Sequence, residues 1–178
     1  MADYEFNTTD GQTIDRALLI AYLNTGTYSS PAWSPIGKRV EDSSQEFDWS
    51  EETKQDILGS TYTTMKKPVI TQTFDPCELD AGDEAQKKIW NLAIVQQDNN
   101  ALANMDMLIV HLYAGTKDTA VFAERYESCM VKPSSLGGEG GGNIGMPIDV
   151  TYGGKRTIGT AKVSNGTVTF TPDGTAAS

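Results

Sequence analysis

Ala161-Lys162-Val163-Ser164-Asn165-Gly166-Thr167-Val168-Thr169-Phe170 decides the fold class. Asn-Gly between two alternating runs is the strongest short-range hairpin signal, because both central residues of a type I′ turn take positive φ, which Asn and Gly tolerate. A two-residue loop at Asn165-Gly166 sets Val163 opposite Val168 and Ala161 opposite Phe170. Gly153-Gly154 offers a second such turn, with Val150 opposite Thr157 and Ile148 opposite Gly159. Side chains alternate with period two, so both turns place Ile148, Val150, Gly159, Ala161, Val163, Val168 and Phe170 on one face of a three-stranded meander. The opposite face carries Asp149, Thr151, Arg156, Thr160, Lys162 and Thr169, with Asp149 and Arg156 as a diagonal pair.

Upstream, Leu108, Val110 and Leu112 alternate with Met107, Ile109 and Tyr113, so Met105 to Tyr113 reads as a strand buried on both sides and central in its sheet. Ala120 to Val131 is long for a strand, about 40 Å when extended, a length suited to a barrel or an assembly. Val69 to Phe74 alternates weakly, and Leu18 to Leu23 reads as the first strand. One helix interrupts the pattern: Asp80 or Asp83 caps it, Asp83–Lys87 and Glu84–Lys88 are i,i+4 pairs, and Ile89, Leu92 and Ala93 form its apolar stripe. Asp98-Asn99-Asn100 ends that helix after about four turns. The expected fold is mainly β with one flanking α-helix, a β-barrel or sandwich.

The 178 residues bound the chain to a single domain, 1–178. A net charge of −10 repels nucleic acid, which excludes a sequence-specific DNA-binding role. The longest apolar run, Ala17 to Leu23, is far short of a membrane span. Asp3, Glu5, Asp10 and Asp15 stand where a secretory signal needs positive charge, so residence inside a cell is expected. Cys77 and Cys129 have no metal-ligand spacing and read as reduced, buried residues.

Residues 41–66 are an acidic excursion, with Glu41, Asp42, Glu46, Asp48, Glu51, Glu52 and Asp56 interrupted by Phe47, Trp49, Ile57, Leu58 and Met65. Such a segment is either an exposed hairpin or an arm that orders on a partner. Phe47, Trp49, Ile57 and Leu58 are its candidate subunit-interface residues. Residues 1–17 read as a flexible N-terminal arm, Ser134 to Gly145 as a mobile Gly-rich connector, and 175–178 as a tail.

No catalytic constellation emerges. Gly140 to Gly145 matches GxGxxG but leads through Met146-Pro147 into a strand, whereas a dinucleotide site must open a helix. His111, the only histidine, lies mid-strand among apolar residues and reads as structural. Cys129 reads as a small hydrophobe, and no pair among the acidic residues stands out as a glycosidase pair. No enzyme activity, cofactor or metal is expected. Trp33, Trp49 and Trp90 are scattered, although a carbohydrate-binding or adhesive β-sandwich would use such aromatics.

The segment GGKRTIGTAKVSNGTVTFTPDG (Gly153 to Gly174) resembles the closing hairpin of the major tail tube proteins of long, non-contractile-tailed bacteriophages. Ala32-Trp33-Ser34-Pro35-Ile36-Gly37, the acidic excursion after it, and a helix inserted before an apolar strand resemble that family in order, over roughly residues 18–174. The resemblance implies a structural virion subunit of the phage tail, assembled in the bacterial host cytoplasm with other tail proteins. Its copies would form hexameric rings that stack into a tube conducting DNA. It carries no catalytic residues, and it leaves Gly137 to Gly145 without a counterpart. Six copies would carry about −60, and a lumen wall of that sign would let DNA slide without sticking.

Overall fold

The computed structural model describes residues 3–174. These described residues form twelve strands: β1 (Leu19–Asn24), β2 (Trp33–Ile36), β3 (Val40–Asp42), β4 (Gln45–Asp48), β5 (Glu52–Gln55), β6 (Thr61–Thr64), β7 (Val69–Pro76), β8 (Met105–Thr116), β9 (Ala120–Pro133), β10 (Ile148–Tyr152), β11 (Arg156–Ser164) and β12 (Thr167–Pro172). Ten of them form one sheet, ordered β2-β1-β8-β9-β10-β7-β3, with β11 on β9, β12 on β11 and β4 on β7. The sheet curls into a half-barrel. The fold is therefore mainly β, with helix α1 (Glu84–Trp90) on its flank. Among the described residues, no helix is long and apolar enough to cross a membrane.

β8 is central, as its two apolar sides require: it lies between β1 and β9. Met107 and Ile109 enter one buried cluster with Ala21, Leu23, Phe74 and Ile148. Leu108 and Val110 enter a second, with Tyr22, Trp33, Val121 and Ala161. Period-two alternation along the same strands thus builds a core on each face of the sheet.

The Asn165-Gly166 hairpin has the expected register, Val163 opposite Val168 and Ala161 opposite Phe170. Both turn residues take positive φ, 49° and 76°. Gly153-Gly154 behaves differently. It is not a hairpin turn, and β10 does not pair with β11. Both strands lie end to end along one edge of β9, with Val150 opposite Val131 and Arg156 opposite Tyr126. Between Thr151–Met130 and Arg156–Tyr126 the β10–β11 side spends one residue more than β9, which makes Gly153–Lys155 a β-bulge. Because β11 runs on in the direction of β10 instead of folding back across it, even-numbered Ile148 and Val150 join the first cluster and odd-numbered Ala161, with Val168 opposite Val163, the second, rather than all sharing one face. Asp149 accepts from Thr73 Oγ1 at 3.1 Å and Arg156 pairs with Glu124, so the expected Asp149–Arg156 pair does not form. β9 is long because it serves β8 on one edge and β10 plus β11 on the other.

Asp83 caps α1, accepting from Gln86 N at 3.0 Å. Ala85 and Ile89 bury against the first cluster. The helix is shorter than four α-turns: a π turn, Asn91–Val95, follows it. Lys87 pairs with Glu84 at i,i+3, and Lys88 donates to Asn24 O at 2.6 Å, so neither expected i,i+4 pair forms. Asp98 does not stop the helix but caps a new one, α2 (Asn99–Leu102), accepting from Ala101 N at 3.0 Å. Asp and Asn signal both ends because a short acceptor side chain competes with the helical backbone.

The N-terminal segment lies along the sheet. Tyr4 packs on Phe122 with ring centroids 4.8 Å apart, and Asn7 N donates to Tyr113 O at 2.8 Å. The Gly-rich connector is tied at its ends, where Gly137 and Gly145 exchange backbone bonds of 3.1 and 2.7 Å. The C-terminal tail, 175–178, lies outside the described residues.

Candidate assembly surface

The acidic excursion is built from β-structure throughout. β3 and β4 are added to β7, with Phe47 opposite Ile70 and Asp48 opposite Val69. Asp48 Oδ1 then accepts from Ser50 N at 3.0 Å, and Lys66 N donates to Trp49 O at 2.9 Å. From that closed base β5 and β6 project as a hairpin that pairs with nothing else, every residue of both strands exposed. Thr53 and Thr63 hydroxyls bond across it at 3.0 Å. At its tip Asp56 Oδ1 accepts from Leu58 N and Ser60 N, each at 2.9 Å, so the turn is held by its own carboxylate. Ile57 and Leu58 consequently stand out into solvent at 101% and 86% exposure.

Below the hairpin base lies a cleft of about 680 Å³, walled by Phe47, Trp49 and Val69, rimmed by Lys67 and Arg156, and floored by Glu124, Tyr126 and Tyr152. The Phe47 and Trp49 rings stack 6.2 Å apart. The floor is saturated with internal bonds. Glu124 Oε1 accepts from Arg156 Nε at 2.7 Å and Tyr126 OH at 3.3 Å, and Oε2 lies 2.9 Å from His111 Nε2. A carboxylate only accepts, so His111 Nε2 carries a proton; in the neutral ring Nδ1 then accepts from Tyr113 OH, 2.8 Å away. Tyr152 OH donates to Gln72 Oε1 at 2.6 Å. Burial opposes ionisation of Glu124, yet the bonds and charges of His111 and Arg156 outweigh it and hold the carboxyl below its ordinary range. Burial, then the Glu124 charge, pushes Tyr126 up to about 12.

The structure brings together Phe47 with Trp49 at the base and Ile57 with Leu58 at the tip, and separates the two pairs by the length of the hairpin. Sequence reasoning did not reach Lys67, Val69, Tyr152 and Arg156 as one site; they converge from the loop before β7 and from β7, β10 and β11. Only the placing of Glu124 two residues from Tyr126, on one side of a strand, hinted that a polar group shares a face with an aromatic one there.

Elsewhere, Asp106 and Arg125 form a two-pronged pair at 2.9 and 2.6 Å, with the guanidinium 4.2 Å from the Tyr28 ring centroid. That cluster fastens the 25–32 loop to the sheet. Cys77 and Cys129 are buried and unpaired. β2 and β12 each pair on one side only, β2 with β1 and β12 with β11, as do β3 and β4 with β7, so the sheet has open edges among the described residues.

No protein-family model matches the chain. No curated protein matches it significantly. Among solved structures it is similar to a chain of the sheath–tube complex of an extracellular contractile injection system, PVC, in its extended state, at 12% identity and a TM-score of 0.49, covering 84% of this chain and 93% of that one. A chain of the anti-feeding prophage cap, AFP, that terminates its tube is similar at 18% identity and a TM-score of 0.49, covering 87% and 96%. The sheath–tube terminator of the PVC system is similar at 14% identity and a TM-score of 0.48, covering 84% and 99%. A likeness of this degree carries no function across to this chain.

Proposed function

We propose that this protein is a non-enzymatic structural subunit that polymerises through its own copies into the tube of a phage tail, as stacked hexameric rings that conduct DNA. The observation that carries the reading is the β5–β6 hairpin: an ordered element with no further strand partner among the described residues, offering Ile57 and Leu58 to solvent. A water-exposed aliphatic pair on a pinned turn is a contact awaiting a surface. The open edges of β2 and β12 support ring closure by sheet continuation, which would remove edges that otherwise invite indiscriminate pairing. The resemblance of Gly153 to Gly174 and of the order of elements to siphophage tail tube proteins supplies the kind of assembly. The charge of −10 per chain suits a lumen that repels phosphate. Such a subunit would reside in the virion after assembly in the host cytoplasm beside other tail proteins.

The alternative of a carbohydrate-binding module fits the site less well. Trp33 is buried under Arg125, and the polar atoms on the cleft floor are engaged with one another, leaving few groups to bond a sugar. Negative-stain microscopy of the concentrated full chain tests the proposal. Annuli or smooth hollow filaments are the expected result. A monodisperse monomer at every concentration, or an assembly whose lumen is basic, overturns it.

A further inference from the structure

We propose, resting on the tube-forming reading above, that the cleft under Trp49 is the receptor for the Ile57–Leu58 tip of a second copy of this chain. The two surfaces match in kind. Phe47, Trp49 and Val69 present exposed apolar walls, and the tip presents two aliphatic side chains with nothing of their own chain over them. A cleft of about 680 Å³ is within the size that receives compact apolar groups. The occupant must be apolar at its centre, because Glu124, Tyr126 and Tyr152 on the floor already satisfy one another and His111, Arg156 and Gln72.

Charge agrees with shape. Lys67 stands at the rim, Arg156 beside it being already paired with Glu124, and the residue leading into the tip is Asp56, whose Oδ1 is occupied by the turn while the carboxylate keeps its charge. Opposite charge at a rim sets orientation and approach more than affinity. The geometry also forbids a chain from filling its own cleft. The four residues of β5 carry the tip about 13 Å away from the base, and the Lys66–Trp49 bond fixes the hairpin's exit. Tip and cleft are different patches of one molecule, so each contact is heterologous and a filled copy still offers its own tip to the next. Growth then proceeds in one direction along the hairpin.

The test is a cysteine pair in the full chain, Leu58→Cys with Val69→Cys, oxidised under conditions where the unmodified chain forms tubes. Cys77 and Cys129 are buried and do not interfere. The expected result is a ladder of covalent multimers on a non-reducing gel, with dimers at most from either single variant. In parallel, Ile57→Asp with Leu58→Asp in one chain and Val69→Glu in another should each stop growth alone, and mixing the two separately assembled variants should restore a single layer of tip-to-cleft junctions, read by mass as a joined pair, one assembly of each variant. Tubes from the double-cysteine variant without a ladder, or a full ladder from Leu58→Cys alone, overturn the receptor assignment while the tube reading stands. Absence of tubes from the unmodified chain overturns both. Circular dichroism of each variant confirms the fold, since all three positions are exposed.

Discussion

Gly154 lies against Ser128 so closely that a Cβ on the glycine would sit 2.6 Å from the Ser128 Cβ and 2.7 Å from its backbone nitrogen. The bulge therefore depends on glycine twice, for its φ of +74° and for the missing side chain. Gly166 shares the φ requirement, at +76°, but has open space around it. Gly166→Ala should cost about 1–2 kcal/mol from the left-handed backbone alone, and Gly154→Ala about 2 kcal/mol more from overpacking. Thermal denaturation of both variants checks this; equal losses would show that Ser128 yields.

Glu124 should govern acid stability. Its carboxyl lies below the ordinary 4.5 in the folded chain, so the stability it contributes is complete above that pH and is lost as pH falls through the lower folded value. Glu124→Gln should lower stability at neutral pH by about 3 kcal/mol, because Arg156 and His111 lose a buried partner. The gap in melting temperature between the two proteins should narrow as pH falls below 4.5. A constant gap would assign the acid response to other carboxylates.

Asp106 and Arg125 differ from the surface pairs in burial, each side chain being only 12% exposed. Asp106→Ala should cost about 3–5 kcal/mol, since it strands the guanidinium between Tyr28 and Trp33. Glu84→Gln, which breaks the exposed Lys87 pair, should change stability by less than about 0.5 kcal/mol. Urea midpoints of the two variants measure the contrast.

Burial pushes the Cys129 thiol up to about 12, and raises Cys77 as well. Both should stay unreactive toward a thiol-specific chromogenic reagent in the native chain and both should react after denaturation. Labelling of either in the folded protein would mean that the sheet opens near it.

Several elements were legible before any coordinates. β8 read as central because Leu108 and Val110 alternate with Met107 and Ile109, and the register across Asn165-Gly166 followed from the turn type. Ile57 and Leu58 stood out as large apolar residues within a polar run, which left an arm and an exposed hairpin both open; the structure makes them the exposed tip of a hairpin. The cleft was not legible, because Trp49, Val69, Tyr152 and Arg156 approach one another only through the pairing of β4 and β10 with β7 and of β11 with β9.

What the chain alone determined is what residues within a few positions of one another decide: positive φ at Asn165 and Gly166, the cap at Asp83, and which side of a strand each residue takes. What tertiary structure decided is the fate of Gly153-Gly154. The same flexible pair suits a hairpin turn or a bulge, and the choice fell to Thr71 and Thr73 of β7 and to Met130 of β9, which pair with β10 from distant parts of the chain. Once β10 is held between β7 and β9, its ladder bonds are already made on both edges, and folding back onto β11 would break them.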